Sequence, residues 1–237
     1  PAPDALKKII ESDEGSHYRQ VALLDARGNV KVFTGAGCIK YASHFEGHGF
    51  SVQANMMLND AVVPAIAAAF ENSDNLPLAE RIVQALLAGQ AAGGDIRGKQ
   101  SAVLLVVSGT VAEHPWQDKM IDLRVDDAEE PLRELVRLLK VHRAYEHMNK
   151  GDLAVEKGDM RQALFEYEAA EKMFPDNLEM KYWKAVALAN NGKVEQSLAI
   201  FSEVFRKDNN WRVLTRRLPE SRLLNVADDD LDLILKQ

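Results

Sequence analysis

Gly158 and Gly192 stand 34 residues apart, and the segment around them keeps that period. At the same offset Ala163 matches Ser197, Tyr167 matches Phe201, Ala170 matches Val204 and Pro175 matches Asn209. A unit of this length cannot bury its apolar face alone and must stack on a copy of itself. Each copy reads as two helices. Small residues at 163, 170 and 197 let the helices of a hairpin approach closely. Tyr167 and Phe201 fill the gap between hairpins. Gly158 and Gly192 turn the chain between the first and second helix. Pro175 ends the second helix.

This pattern of small, aromatic and Gly/Pro positions resembles the tetratricopeptide repeat, over roughly residues 144–211. The likeness has departures. His147 and Lys181 hold the early Trp position, and the small residue at the first-helix crossing is Gly151 in one repeat and Ala185 in the other. Two hairpins fall short of an independent stack. They are expected to lean on the helix at 131–147, on the tail, or on the preceding domain. In related repeats a concave groove binds peptides, so a protein or peptide partner is expected through residues 144–211. The tail carries Trp211, the run Arg216-Arg217-Leu218-Pro219 and the acidic run Asp228 to Asp232. That run lacks the Gly and distal Glu of an EF-hand loop. It reads instead as a helix start capped by Asp228, with the other acids near the positive end of the dipole.

The first half is mixed. Residues 3–12 read as a short helix beginning near Pro3. Tyr18–Leu24 and Val30–Phe33 read as strands joined by the loop Asp25-Ala26-Arg27-Gly28-Asn29. Gly49–Met57 alternates, with Phe50, Val52, Ala54 and Met56 on one face and Ser51, Gln53 and Asn55 on the other. Residues 60–72 and 77–90 follow the helical period. Ser101–Val107 is continuously apolar, as in a strand covered on both faces. Met120–Val125 reads as a last strand. The order β-β-β-α-α-β-β suggests a mainly antiparallel sheet with helices layered on it. The expected domains are 1–128 and 129–237.

The net charge of −7 is spread over both halves, so neither has the basic footprint of a nucleic-acid binder. No apolar run approaches the roughly 18–20 residues of a membrane span. The one cysteine, Cys38, has no intrachain partner, so a reducing compartment such as the cytoplasm fits best. An incomplete sheet would leave an edge for a second copy, which keeps a homo-oligomer open. The chain opens Pro1-Ala2-Pro3-Asp4. An amino-terminal proline is a tautomerase base only when it begins a strand, and here a helix follows.

Gly93-Gly94-Asp95-Ile96-Arg97-Gly98-Lys99-Gln100-Ser101 is the densest polar constellation. Loops at strand ends are where sites are built. In a substrate pocket Arg97 or Lys99 would bind a carboxylate, Asp95 would orient them, Gln100 and Ser101 would add hydrogen bonds, and glycine N–H groups would stabilise an oxyanion. In the plainer reading an Asp95–Arg97 brace only fixes a tight turn. The spacing is not that of a phosphate loop. Gln53 and Asn55, projecting from one strand face, could serve an oxyanion hole with their amides. Asp122, Arg124, Asp126 and Asp127 read as a salt-bridged network and not a metal site. Cys38 with His44 is poor support for thiol catalysis, and a buried inert Cys fits better. His44 and His48 are no zinc pair without further ligands. No metal and no cofactor are expected.

Four phrases occur together: YRQVALLDARGNVKVFTGAGC at 18–38, GFSVQANMM at 49–57, GQAAGGDIRGKQSAVLLVV at 89–107 and DLRVDDAEEPLRELVRLL at 122–139. They resemble domain-of-unknown-function family 1028, which is placed by fold analogy among the N-terminal-nucleophile (Ntn) hydrolases. The stretch with Trp211 and Arg217-Leu218-Pro219 resembles a segment often appended to that family and labelled peptidoglycan-binding. The resemblance implies an α+β fold, an αββα Ntn-hydrolase-like layered sandwich, followed by an all-α tetratricopeptide-like helical-hairpin domain. It implies strands upstream of residue 1, whose first residue would be the nucleophile. On that reading the chain is an amide- or peptide-bond hydrolase whose nucleophile is not in this chain, with Gln53, Asn55 and Asp95 as catalytic residues. The alternative is a non-catalytic protein- or peptide-binding module.

Overall fold

Asp25 organises the amino-terminal hairpin. Its carboxylate accepts the backbone N–H groups of Arg27 and Asn29 within the turn and that of Ala2 at the start of a helix. The Asn29 amide is the largest influence holding this carboxyl below the ordinary carboxylate range. The computed structural model describes residues 1–237. The helix is α1 (Ala2–Ser12), with Pro3 in its first turn, and it buries Ala2 and Leu6 against the hairpin. The hairpin pairs β1 (Gln20–Leu24) with β2 (Val30–Thr34) antiparallel, Ala22 opposite Val32. Gly28 turns it at φ 80°.

A second hairpin joins β3 (Ser43–Gly47) to β4 (Phe50–Ala54), Phe45 opposite Val52. β4 is expected from its alternation, whereas β3 is not, because His44, Glu46 and Gly47 give it no apolar alternation. The two hairpins are tied by side chains. Glu46 accepts the Val32 N–H at 2.8 Å and pairs with Lys31, which satisfies a backbone donor on the open edge of β2.

Helices α2 (Val62–Glu71) and α3 (Leu78–Ala91) follow. Val63, Ala67 and Ile66 pack on Phe50, Val52 and Ala54 of β4. Gly89 lets the helices touch, since a Cβ there would stand 2.7 Å from Ile66 Cδ1. Other residues of α3, Ala79 and Val83, join Leu104, Ile121 and Val125 of a third hairpin, β5 (Ala102–Val107) with β6 (Lys119–Val125). The strands thus form three separate two-stranded antiparallel ladders, where the sequence suggests one continuous sheet. β5 is also covered on one face only. Leu104 is buried, while Val103, Leu105 and Val107 are 47, 49 and 55% exposed. An apolar run does not reveal whether a second layer covers it.

The chain divides into compact units at 1–139 and 140–237. Helix α4 (Pro131–Glu156) gives Leu135 and Leu139 to the core of the first, and Ala144, Met148 and Ala154 to that of the second. The second unit continues with α5 (Met160–Met173), α6 (Leu178–Asn190), α7 (Val194–Lys207), α8 (Asn210–Arg217) and α9 (Asp228–Leu235). The predicted repeat is present. Gly158 and Gly192 have φ of 73° and 71°, and Ala163, Ala170 and Ser197 are fully buried at the crossings. Asp159 and Asn177 cap α5 and α6. The tail closes the stack, with Leu218, Leu224 and Ile234 entering the core around Phe201. Asp228 is not the cap of α9. Ala227 holds that position without a side-chain bond, and Asp228, Asp229 and Asp230 occupy the first turn.

Candidate functional site

The segment after β4 meets the loop after α3 through the backbone. Ile96 donates to the Met56 carbonyl at 2.9 Å, Leu58 to that of Gly94 at 3.0 Å, and Met57 bridges to Asp95. Met56 takes a left-handed φ of 58° to do so, and Asn55 Oδ1 accepts its N–H. Gly93 and Gly94 have φ of 133° and 63°. A Cβ on Gly94 would stand 2.6 Å from Gln90 Nε2.

This pairing gathers Gln53, Asn55, Asp95, Arg97, Lys99, Gln100 and Ser101 around one cavity of about 820 Å³. Val62, Ile66, Leu86 and Leu132 supply apolar walls. All seven residues singled out from the sequence therefore line one space. Gln90 and Asp127 line it too. Gln90 lies within a helical stretch and carries no local signal of a site, and Asp127 reads from sequence as part of the network at 122–127.

Both cations in the cavity are paired. Asp95 accepts from the backbone N–H, Nε and Nη2 of Arg97, the last at 2.6 Å. The Arg97 guanidinium holds the Asp95 carboxyl below its usual range. Lys99 Nζ lies 2.6 Å from Glu130 Oε1. The turn-fixing brace is thus present, and each cation arrives already matched to a carboxylate. The guanidinium has five donors and the ammonium three, so both retain capacity for a ligand. Gln53, Asn55, Gln100 and Ser101 add uncharged amide and hydroxyl groups.

Other candidates separate. Lys119, Asp122 and Arg124 form a surface ion-pair network. No group of three or more His, Cys, Asp or Glu side chains is placed to hold a metal. Cys38 is half-buried, and its thiol donates to the Arg19 carbonyl at 3.5 Å instead of meeting His44. His44 Nδ1 lies 2.8 Å from the hydroxyl of Thr34, a pairing between residues ten positions apart that no sequence motif signals. No helix is long and apolar enough to cross a membrane.

In the second unit, a cavity of about 350 Å³ lies among Asp152, Glu156, Trp183, Val186 and Leu223. The tail borders it because Asn190 donates to the Leu223 carbonyl and accepts the Asn225 N–H.

These features define a two-part protein: an α/β unit with a polar cavity, and a helical-repeat unit. The chain belongs to the family of unknown function DUF1028, whose profile matches residues 1–135. A tetratricopeptide-repeat profile matches residues 148–210. No curated protein matches the chain. Among solved structures, a DUF1028 protein from Silicibacter pomeroyi is 29% identical with a TM-score of 0.50, covering 59% of this chain. The chain spans 57% of that structure's length.

Proposed function

We propose that the α/β unit binds a small polar ligand bearing an amide or carboxylate, and that the tetratricopeptide repeats bind a protein or peptide partner. The observation that carries the first part is the convergence of Gln53, Asn55, Arg97, Lys99, Gln100 and Ser101 on one cavity with apolar walls. Sites of this kind combine apolar surface with a few fixed polar groups. Titration calorimetry with a panel of amides, dipeptides and small carboxylates tests it. Binding by the wild-type chain should be lost in the Gln53→Ala/Gln100→Ala double variant. Equal binding by both would place the ligand elsewhere.

The repeat match supports the second part. Pull-down of partners by the wild-type chain and by Glu156→Lys, on the cavity near Trp183, checks it. Identical recoveries would remove that cavity from the interaction.

A second reading is hydrolysis of an amide or peptide-like bond in an αββα Ntn-hydrolase-like domain. It is favoured by the bare face of β5, where Val103, Leu105 and Val107 lie opposite a helix-covered face. A second sheet layer would pack there in such a sandwich. In this reading Gln53 and Asn55 stabilise the oxyanion, and the nucleophile comes from outside the seven side chains, none of which pairs a hydroxyl with a base. Assaying the chain against an amide library checks it, and hydrolysis unaffected by Gln53→Ala would remove Gln53 from the mechanism.

A further inference from the structure

Thr34 ends β2 and His44 lies on β3, and their side chains meet at 2.8 Å. Gln20 Nε2 donates to the same hydroxyl at 3.0 Å, and also lies 3.1 Å from the carbonyls of Ser43 and Ala54. A threonine hydroxyl has one proton and two lone pairs. With Gln20 donating to one lone pair, the proton is directed at Nδ1 whenever the imidazole carries its own proton on Nε2.

His44 is the direct cross-strand partner of Gln53. Opposed residues of a ladder project from the same face, with Cβ atoms roughly 5 Å apart. Gln53 therefore projects from the same face of the ladder as His44, and it lines the cavity of Asp95 and Arg97. The loop from Gly35 to Ala42 walls an open cavity of about 460 Å³ that includes Thr34, Lys40 and His44. That loop is held in place. Gly35 and Gly37 donate to the carbonyls of Arg19 and His17 at 2.8 and 2.7 Å. A Cβ on Gly35 would collide with the His17 carbonyl. Tyr41 is held at a left-handed φ of 72°, a conformation that a non-glycine residue keeps only where its surroundings enforce it.

We propose that Thr34 and His44 are a nucleophile–base pair that cleaves activated acyl compounds. Thr34 Oγ1 attacks the acyl carbon and its proton passes to His44 Nδ1. The bond from the acyl carbon to the leaving group breaks, and the leaving group takes that proton. Water then attacks the Thr34 ester and gives a proton to Nδ1. The acid is released and the proton returns to Thr34 Oγ1.

The test uses the intact 237-residue chain and p-nitrophenyl acetate. Nitrophenolate release is followed, and the acetyl group is located by peptide mass spectrometry after acid quench. The acetyl group is expected on Thr34. Thr34→Val, which keeps the shape and removes the hydroxyl, should abolish both adduct and hydrolysis, and Thr34→Ser should retain them. His44→Gln should slow acylation by roughly 100-fold or more, the scale of a lost general base. Circular dichroism shows whether each variant is folded, and if Thr34→Val is not, Thr34→Ser and His44→Gln decide. Acetylation of lysines alone, or hydrolysis at the wild-type rate in Thr34→Val or His44→Gln, would overturn the proposal.

Discussion

Gly151 lies so close to the ring of Tyr167 that a Cβ built on it would stand 2.5 Å from Cε1. The ring cannot easily retreat, because its hydroxyl donates to Asp152 Oδ1 at 2.7 Å and the residue is buried. One period later the pair is Ala185 and Phe201, both fully buried in the second core. Gly151→Ala sets two effects against each other. Alanine is worth about 1 kcal/mol more than glycine inside a helix, whereas overpacking a core costs about 1–3 kcal/mol. A net destabilisation is expected, read as a lower urea midpoint. A midpoint equal to or above the wild type would show that the ring moves freely.

Tyr182 and Thr215 are both fully buried, with their hydroxyls 2.9 Å apart. Thr215 already donates to the Trp211 carbonyl, so Tyr182 is the donor of the pair. Thr215→Val strands the phenol and should cost about 1–3 kcal/mol. Tyr182→Phe leaves Thr215 with its carbonyl and should cost less, about 0.5–1.5 kcal/mol. Denaturant melts of both variants check this order, and its reversal would refute the donor assignment.

Burial pushes the Tyr182 phenol from 10.0 up to about 12. A raised folded value means that the unfolded chain loses its proton first. The stabilisation is complete below about pH 10, declines as pH rises and is gone above about pH 12. The urea midpoint should fall across that window, and less steeply in Tyr182→Phe. Parallel curves for the two proteins would show that this phenol is not the group responsible.

Gly94 holds φ at 63° with Gln90 Nε2 2.6 Å from the position of a Cβ. Gly94→Ala combines backbone strain with a clash and should cost about 1–3 kcal/mol. Because Gly94 accepts from Leu58, the variant should also weaken ligand binding in the cavity of Gln53 and Arg97. Retained affinity in calorimetry would separate the turn from the cavity.

The bare row of Val103, Leu105 and Val107 on a strand with an open edge favours association. Light scattering should show concentration-dependent mass in the wild-type chain and less in Leu105→Lys. Identical profiles would show that this face takes no part.

The repeat was legible because its signals are local and recur. A glycine at 158 or 192 is needed wherever the backbone turns left-handed, and the buried faces of α5 and α7 follow the helical period around Tyr167 and Phe201. The polar loop from Gly93 to Ser101 was legible as a dense cluster within one short stretch. Its joining to Gln53 and Asn55 was not, since it depends on backbone pairing between Met56 and Ile96. Strand β3 was hidden by its polar residues.

The sequence by itself determined the hairpins of residues 144–211 and the turn at Gly28, and it marked the loop from Gly93 to Ser101 and the pair Gln53 and Asn55 as separate candidates. These rest on backbone preference and periodicity over a few residues. Only the tertiary structure decided that Lys99 meets Glu130, that Cys38 turns from His44 while Thr34 meets it, and that β5 is bare on one face. Each joins or exposes groups through packing between elements distant along the chain, and no local preference encodes which distant surface a side chain will find.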